Sequence, residues 1–184
     1  MPLALDQTLI RNAAAGGAAL ERLLAEVWPE AYRISLALLR DRGLAEDAAQ
    51  DACAALARSL PRLKTPAAFP AWCYRLIVNH AISIARKRPD TVPLDSTSDC
   101  KVSFERADAL DLYDALGALP IAQRAAVILH YYAGLNSAEI AAATGQPAST
   151  IRFHLMLARR ALRNALSAST NRQMPSEEIA SDVR

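Results

Sequence analysis

The sequence has little glycine and few aromatic residues, and both shortages narrow the possible folds. Its 184 residues include 6 glycines, and aromatic residues make up 5% of the chain. We find no stretch with the sustained apolar–polar alternation of a half-buried strand, and no glycine-rich phosphate loop. Alanine, the best helix former, is instead present 39 times. This composition predicts an all-α protein.

Cysteine and long apolar runs are also scarce. Cys53, Cys73 and Cys100 form no Cys-x-x-Cys pair and no even set for a disulfide framework, which favours a reducing, cytoplasmic location. The longest apolar run, residues 125–135, is interrupted by His130 and is too short to cross a bilayer. The N-terminus shows no basic segment followed by an apolar one, so the sequence predicts no signal peptide. Without a long apolar run, we predict a soluble protein. The spacing of the histidines does not fit a metal site, and we predict no metal and no cofactor.

The formal net charge of +2 hides an uneven distribution along the chain. Residues 1–88 carry an excess of four positive charges, residues 89–119 an excess of five negative charges, and residues 120–184 an excess of three positive charges. Two basic blocks suggest a polyanionic partner. On charge alone, an ordinary solvated surface is an equally good interpretation.

The acidic segment also has the composition of a linker. The helical pattern ends in a charged run before Pro89, and residues 91–103 are rich in Ser and Thr without periodicity. We therefore predict two small helical domains, at residues 1–88 and 106–166. A flexible acidic linker, 89–105, would join them, and a disordered tail would follow at 167–184.

Apolar periodicity predicts most of the helices. The predicted segments are 18–40 (with Pro29 opening a second helical piece), 44–60, about 67–87, 105–117, 120–133, 137–143 and 147–166. In the 67–87 segment, Phe69 and Trp72 fall on the apolar face, so a core position is favoured over base stacking for both.

The most distinctive local pattern lies near the C-terminus. Asn136 followed by Glu139 is a capping-box pattern, and Gly145 can take the left-handed conformation that ends a helix. Pro147 then opens a second helix that carries four arginines and no acidic residue up to position 166. A glycine-containing turn between two helices is typical of a helix-turn-helix. A generic helical hairpin is the alternative, but the basic face favours DNA binding.

Several segments, in order, resemble the extracytoplasmic-function sigma factors of bacterial RNA polymerase. The C-terminal resemblance, to the family's region four, rests on Leu119-Pro120, Gln123-Arg124, residues 134–141, Thr150-Ile151-Arg152 and residues 158–162. Residues 45–51 resemble the family's core-polymerase-binding helix, and residues 69–79 resemble its promoter-melting segment. The resemblance covers roughly residues 15–166.

The resemblance implies a function and a set of sites. It implies binding to core polymerase (the β′ clamp helices and the β flap), recruitment to −35/−10 promoter DNA, and an anti-sigma factor as a further partner. The implied core-binding residues are Asp47, Gln50 and Asp51. The implied −10 residues are Lys64, Trp72, Arg75, Asn79, Arg86 and Lys87. Ser149, Thr150, Arg152, Phe153 and His154 lie in the N-terminal half of the second helix of the helix-turn-helix, where a recognition helix meets base edges, and together with Arg159 they are the predicted −35 residues. The acidic linker would run through the polymerase or serve as a plain spacer.

Other functions remain open at this point. A helix-turn-helix regulator that binds DNA without polymerase would need a ligand-binding or receiver module in the N-terminal domain, and the sequence shows no such signature. A sigma-like decoy without initiation activity is suggested by several departures from the family pattern: Cys53, Ala57, Ser83, Phe153, His154, Met156 and Leu157. An enzyme is disfavoured because no nucleophile–base pair, metal cluster or phosphate loop is visible.

Overall fold

The computed structural model describes residue 3, residues 5–87 and residues 107–173. Within these ranges the chain is helical and contains no strand, which confirms the predicted all-α class. The helices are α1 (Gln7–Ala13), α2 (Ala18–Leu39), α3 (Arg42–Ser59), α4 (Phe69–Lys87), α5 (Ala107–Gly117), α6 (Ile121–Val127), α7 (Ser137–Thr144) and α8 (Ala148–Gln173). Two short 3₁₀ turns, Leu60–Arg62 and Pro66–Ala68, connect α3 to α4.

The N-terminal half, α1 to α4, packs around α2. In α3 apolar residues recur at four-residue spacing from Leu44 to Leu60, which predicts one buried face, and Ala48, Ala52 and Leu56 on it are buried. The alanines allow α2 and α3 to approach closely. Asp41 caps α3 by accepting a hydrogen bond from the Leu44 amide at 3.0 Å. Phe69 of α4 is fully buried, as its place on the apolar face predicts.

Two details of this half differ from the sequence-based prediction. The predicted break at Pro29 is wrong, because Pro29 lies inside an uninterrupted α2. Proline removes the hydrogen bond to the Ala25 carbonyl, but both residues face outward, where water can satisfy that carbonyl. Buried Val27 and Ala31 hold the helix across this position. The second difference is that the apolar pattern did not predict α1, because its seven residues are too few to show a clear period.

The C-terminal helix is longer than predicted. It continues to Gln173, so residues 167–173 are helical and the predicted disordered tail is wrong there. The Ser, Thr and Asn content suggested disorder, yet no proline or glycine interrupts the chain from Ala148 until Pro175. The predicted linker, 89–105, and the rest of the tail, 174–184, lie outside the described residues. The proposed domain limits therefore stay a prediction.

The predicted helix 120–133 consists of two parts. After α6 the chain forms a π-helical turn at Ile128–Tyr132, hereafter the π turn, in which the Ala133 amide donates to the Ile128 carbonyl at 3.1 Å. This bond spans five residues instead of four, so the π turn holds one more residue than an α turn. As a result Tyr131 is exposed, whereas Tyr132 is half-buried against the N-terminal half.

The two halves pack against each other. Buried side chains from both halves, among them Ile34 and Tyr74 in the first and Leu129 and Ile140 in the second, belong to one apolar cluster. Contacts run from α2 to α5 and α6, and from α4 to α6 and α7. The sequence did not predict this packing, because the two halves are separated by a segment with no apolar period.

Candidate nucleic-acid interface

The helix-turn-helix has the predicted caps. Asn136 Oδ1 accepts hydrogen bonds from the amides of Ala138 (2.9 Å) and Glu139 (3.0 Å), while Glu139 Oε2 accepts from the Asn136 amide at 2.8 Å. This reciprocal pair is the capping box, and it starts α7. Gly145 ends α7 with φ of +69°, a left-handed conformation in which a side chain would be strained. The turn then directs the chain into α8.

One side of α8 is buried and the other faces outward. The sequence repeats apolar residues at Ile151, Leu155, Ala158, Leu162 and Leu166, which predicts a buried stripe; the first three are buried, and Leu162 and Leu166 are half-buried. Arg152 is exposed and makes no hydrogen bond or ion pair within the described part of the chain. Phe153, next to it, is 55% exposed. A free guanidinium beside an apolar ring can read a guanine edge and a thymine methyl group in the major groove.

The other predicted residues at the start of α8 differ in how accessible they are. Ser149 is exposed, whereas Thr150 and His154 are half-buried. His154 Nδ1 is buried and has no hydrogen-bond partner among the described residues. The outward-facing members of the predicted set at this end of α8 are therefore Ser149, Arg152 and Phe153.

Arg159 lies two turns further along α8 and is held by the π turn. Its Nε donates to the hydroxyl of Tyr131 at 2.5 Å, and its Nη2 lies 3.5 Å from His130 Nε2. His130 Nδ1 lies 2.8 Å from the Leu135 carbonyl. If Nδ1 carries the proton and donates it to that carbonyl, Nε2 is left as an acceptor for Arg159. Sequence reasoning missed Tyr131, because a partner 28 residues away leaves no periodic signal.

The residues predicted to bind core polymerase share one face of α3. Asp47, Gln50 and Asp51 are all exposed, at spacings of three and four residues that bring side chains together on a helix. Ala48 and Ala52 on the opposite face are buried. The structure thus brings the three predicted residues together as one polar, acidic surface.

The predicted −10 residues are spread along α4 and the turn before it. Asn79, Arg86 and Lys87 are exposed on α4, and Lys64 is exposed between the two 3₁₀ turns. Arg75 is half-buried. Trp72 is also half-buried and packs on Phe69, with ring centroids 5.8 Å apart, in line with its place on the apolar face.

Asn79 contacts the helix-turn-helix directly. Its Nδ2 donates to the carbonyl of Ala143, near the end of α7, at 3.0 Å. A groove of about 580 Å³ opens beside this contact. One wall belongs to α4 and the other to the end of α7; the lining residues are Asn79, Ile82, Ser83, Arg86, Lys87, Ala143, Thr144, Gly145 and Gln146.

Arg124 connects the two halves from a buried position. Its guanidinium donates to the carbonyls of Leu116 (2.9 Å), Gly117 (2.6 Å) and Leu119 (2.9 Å) in its own half. It also donates to the Leu38 carbonyl at the end of α2. Burial lowers the pKa of Arg124 to about 10, so the side chain still carries its charge at neutral pH. A cation is favourable at the C-terminal end of a helix.

Arg40 makes the reciprocal contact. Its Nη1 donates to the Tyr113 carbonyl and its Nη2 to Asp114 Oδ1, both at 3.0 Å, and its guanidinium lies 4.7 Å from the centre of the Tyr113 ring. Gly117 makes room for this side chain, because a Cβ there would lie 1.4 Å from Arg40 Nη1. Arg40 ends α2 with φ of 55°. We call these contacts of Arg40 with α5 the Arg40 clasp.

A third polar contact joins α2, α4 and the π turn. Buried Glu30 accepts from the Tyr74 hydroxyl at 3.2 Å and from Arg33 at 3.0 Å. The same Arg33 donates to the Tyr132 hydroxyl at 3.2 Å. Burial and, to a smaller extent, a hydrogen bond to Glu30 raise the pKa of Tyr132. Burial also raises the pKa of Tyr74, so both tyrosines stay protonated at neutral pH.

Cys53 and Cys73 are buried free thiols of the N-terminal half. Burial raises the pKa of each, so neither is activated as a thiolate. In the described part of the chain, no helix has the length and apolar content needed to cross a membrane.

Comparison with known proteins places both halves in one family. Residues 21–89 match the model of Sigma-70 region 2, and residues 109–162 match that of Sigma-70 region 4. The ECF RNA polymerase sigma factor SigM of Mycobacterium tuberculosis is 30% identical over 140 residues, which cover 73% of this chain and 70% of SigM. The RNA polymerase sigma factor SigV of Bacillus subtilis is 26% identical over 139 residues, 74% of this chain and 84% of SigV.

A solved structure supports the same relationship. The sigma factor RpoE of Bartonella quintana, determined in complex with the anti-sigma factor NepR, superposes with a TM-score of 0.67 and 25% identity. The superposition covers 80% of this chain and 96% of RpoE.

Proposed function

Because this chain belongs to the extracytoplasmic-function sigma factors of bacterial RNA polymerase, we propose how its surfaces divide the work of transcription initiation. The chain is a sigma factor that binds core RNA polymerase and directs initiation at specific promoters. The observation that carries the assignment of surfaces is the exposed Arg152–Phe153 pair, which follows a correctly capped helix-turn-helix turn.

We assign −35 recognition to the outward face at the start of α8. Ser149, Arg152 and Phe153 would meet base edges, since the N-terminal part of a recognition helix enters the major groove. Thr150 and His154, which are half-buried, would support this face from its edge. Arg159 would contact a phosphate through the guanidinium that Tyr131 orients, which adds affinity without sequence information.

We assign −10 recognition and strand separation to the exposed face of α4. The Asn79 carboxamide offers a donor and an acceptor to one base edge, which suits the reading of an unstacked base. Arg86, Lys87 and, before the helix, Lys64 would hold the phosphates of the separated strand. Arg75 and Trp72 would form the partly buried floor of this surface.

We assign core-polymerase docking to the acidic face of α3. Asp47 and Asp51 would meet cations on the β′ clamp helices, with Gln50 hydrogen-bonding between them. The exposure of all three residues supports this assignment, because a docking face has to be free of internal partners. The contact would position both DNA-reading faces at once.

We further propose an anti-sigma factor as a regulatory partner, since the superposed RpoE was determined with one. The chain would work in the cytoplasm with the polymerase. It would contribute recognition and strand separation, whereas the polymerase carries out the chemistry. A signal would act on the anti-sigma factor, which fits the buried position of Cys53 and Cys73.

Run-off transcription tests the proposal. Purified chain and core polymerase are incubated with genomic fragments, and the 5′ ends of the transcripts are mapped. We expect transcripts from a small set of fragments sharing −35 and −10 elements, and none with core polymerase alone. A chain that binds the fragments by itself but yields no transcript would instead be a DNA-binding regulator without initiation activity.

A further inference from the structure

Two large apolar side chains are exposed on the same face of α8. Phe153 and Met156 are each 55% exposed, and they are two of the five large apolar side chains that are exposed among the described residues. Residues three apart are neighbours on a helix surface, so the two side chains form one apolar patch. Half-buried Leu157, four residues after Phe153, extends this patch. Single exposed apolar residues are common, whereas a contiguous patch indicates a contact surface.

Positive charge surrounds the apolar patch. The exposed arginines before and after it on α8 are Arg152, Arg159, Arg160 and Arg163. From Ala148 to Gln173 the helix has no acidic residue. This arrangement attracts a ligand that is anionic at its edges and apolar at its centre. The major groove of DNA is such a ligand, because phosphates run along both edges and thymine methyl groups lie on its floor.

The spacing of the two apolar side chains suits the spacing of base pairs. Three residues advance about 4.5 Å along an α-helix, and neighbouring base pairs lie about 3.4 Å apart. Phe153 and Met156 therefore reach two neighbouring base pairs when the start of α8 enters the major groove. Neither side chain can donate a hydrogen bond, so the group that each recognises best on a base edge is the C5-methyl of thymine.

We propose that the apolar patch reads thymine methyl groups at two neighbouring base pairs of the −35 element, beside the guanine that Arg152 contacts. The inference rests on the proposed assignment of −35 recognition to the start of α8. It goes further because it makes Met156 a specificity-determining residue and defines the base edge that the patch recognises. The −35 element of this chain then contains two adjacent A·T pairs next to a G·C pair.

Removing one methyl group from the DNA isolates this contact. Deoxyuridine pairs with adenine as thymidine does, and at the major-groove edge it lacks only the C5-methyl. Burial of one methyl group changes an affinity about fourfold. Hydrogen bonds and phosphate contacts are the same in both duplexes, so a difference in binding measures the apolar contact alone.

Selection from a randomised duplex library provides the DNA for the test. The full chain, free and in complex with core polymerase, selects bound duplexes, and the enriched element is resynthesised with deoxyuridine replacing each thymidine in turn. Affinities of the wild type, Phe153→Ala and Met156→Ala are measured by fluorescence anisotropy. Both side chains are exposed and alanine favours a helix, so the variants keep the fold. Leu112→Ala, which removes a 42% exposed side chain from α5, is the matched control.

We expect deoxyuridine to weaken binding about fourfold at each of two neighbouring base pairs, and about 15-fold at both together. Phe153→Ala should lose the preference for thymidine at one of these base pairs, and Met156→Ala at the other. Leu112→Ala should keep both preferences. Equal binding of the thymidine and deoxyuridine duplexes by the wild type would overturn the proposal, as would alanine variants that discriminate as the wild type does.

The core-polymerase arm separates this inference from the proposed function. If the chain forms no complex with core polymerase, the proposed function fails, and the duplexes that the free chain selects still test the methyl contact. If the complex directs transcription but binds both kinds of duplex equally, the sigma function stands and this inference is wrong. Alanine variants that keep the thymidine preference but lose affinity for core polymerase would assign the apolar patch to a protein partner instead.

Discussion

The two candidate DNA faces differ in whether the rest of the chain covers them. The start of α8 presents Arg152 and Phe153 outward, and Arg152 has no partner within the described part of the chain. The face of α4 presents Asn79, but its amide is bonded to Ala143 of the other half. One candidate face thus has an arginine without a partner among the described residues, and the other has an amide that is hydrogen-bonded within the chain. The comparison suggests that −35 contact and −10 contact respond differently to mutation.

The largest effect should come from the acidic face of α3, because docking on core polymerase would position both candidate DNA faces. Reversing the charge at Asp47 and Asp51 together places lysines against cations of the polymerase, so the affinity for core polymerase should fall about 100-fold. Binding is measured by fluorescence anisotropy with labelled chain, and helical content by circular dichroism. Glu21→Lys with Glu26→Lys, an equal charge change on exposed residues of α2, is the control. Unchanged binding of the α3 variant would remove this face from the docking surface.

The next effect concerns the open face. Arg152→Ala should reduce −35-dependent transcription about tenfold, chiefly at promoters with guanine in the contacted position, because a bidentate arginine–guanine contact is worth about 1–3 kcal/mol. A promoter library selected with each variant measures the preference. Arg160→Ala, also exposed on α8, should leave the selected sequence unchanged. If Arg160→Ala rather than Arg152→Ala alters it, the other side of α8 faces the bases.

The α4 face should show two effects of one substitution. Asn79→Ala removes the amide assigned to base reading, so transcription from a cognate promoter should fall about fivefold, as expected for one or two hydrogen bonds. The same change removes the hydrogen bond to the Ala143 carbonyl, so the free energy of unfolding should fall by about 1 kcal/mol. Transcription and thermal unfolding are measured on the same preparation. A fall in transcription with unchanged unfolding would mean that the bond to Ala143 contributes nothing to stability.

The smallest effect should be that of Arg159→Ala. An exposed contact with a phosphate is worth a few tenths of a kcal/mol up to about 1 kcal/mol, so binding should weaken two- to threefold for every promoter alike. Tyr131→Phe, which removes only the hydroxyl that orients Arg159, should give a weaker loss in the same direction. A changed −35 preference in the library would contradict the assignment of Arg159 to the backbone.

Local patterns in the sequence predicted the features that depend on residues close together in the chain, such as helix caps and apolar repeats. The capping box at Asn136 and the left-handed Gly145 each depend on residues within one or two turns, and both are confirmed. The apolar repeat of α8 is buried in its first half and half-buried in its second. Pro29 shows the limit of such rules. Proline favours the start of a helix, but the burial of Val27 and Ala31 on either side stabilises a continuous α2 through this position.

Contacts between distant segments could not be predicted in this way. The Asn79–Ala143 bond joins residues 64 positions apart, and the Arg40 clasp joins residues more than 70 apart. Neither leaves a period or a motif in the sequence. The placement of Asp47, Gln50 and Asp51 on one face followed from helix geometry, but their role comes from the resemblance and stays a prediction.

The π turn has a consequence for the spacing of residues along the chain. Each residue of an α-helix advances the side-chain direction by about 100°. Inserting or deleting one residue in the π turn therefore rotates the side chains after it by about that angle relative to those before it. Deleting one residue from 128–132 would restore an ordinary turn and rotate Tyr131 and Tyr132 away from their partners together. Tyr132 would lose Arg33, and Tyr131 would lose Arg159. In an alignment of relatives, a one-residue gap at this point would therefore mark chains that join their halves and orient their recognition helix differently.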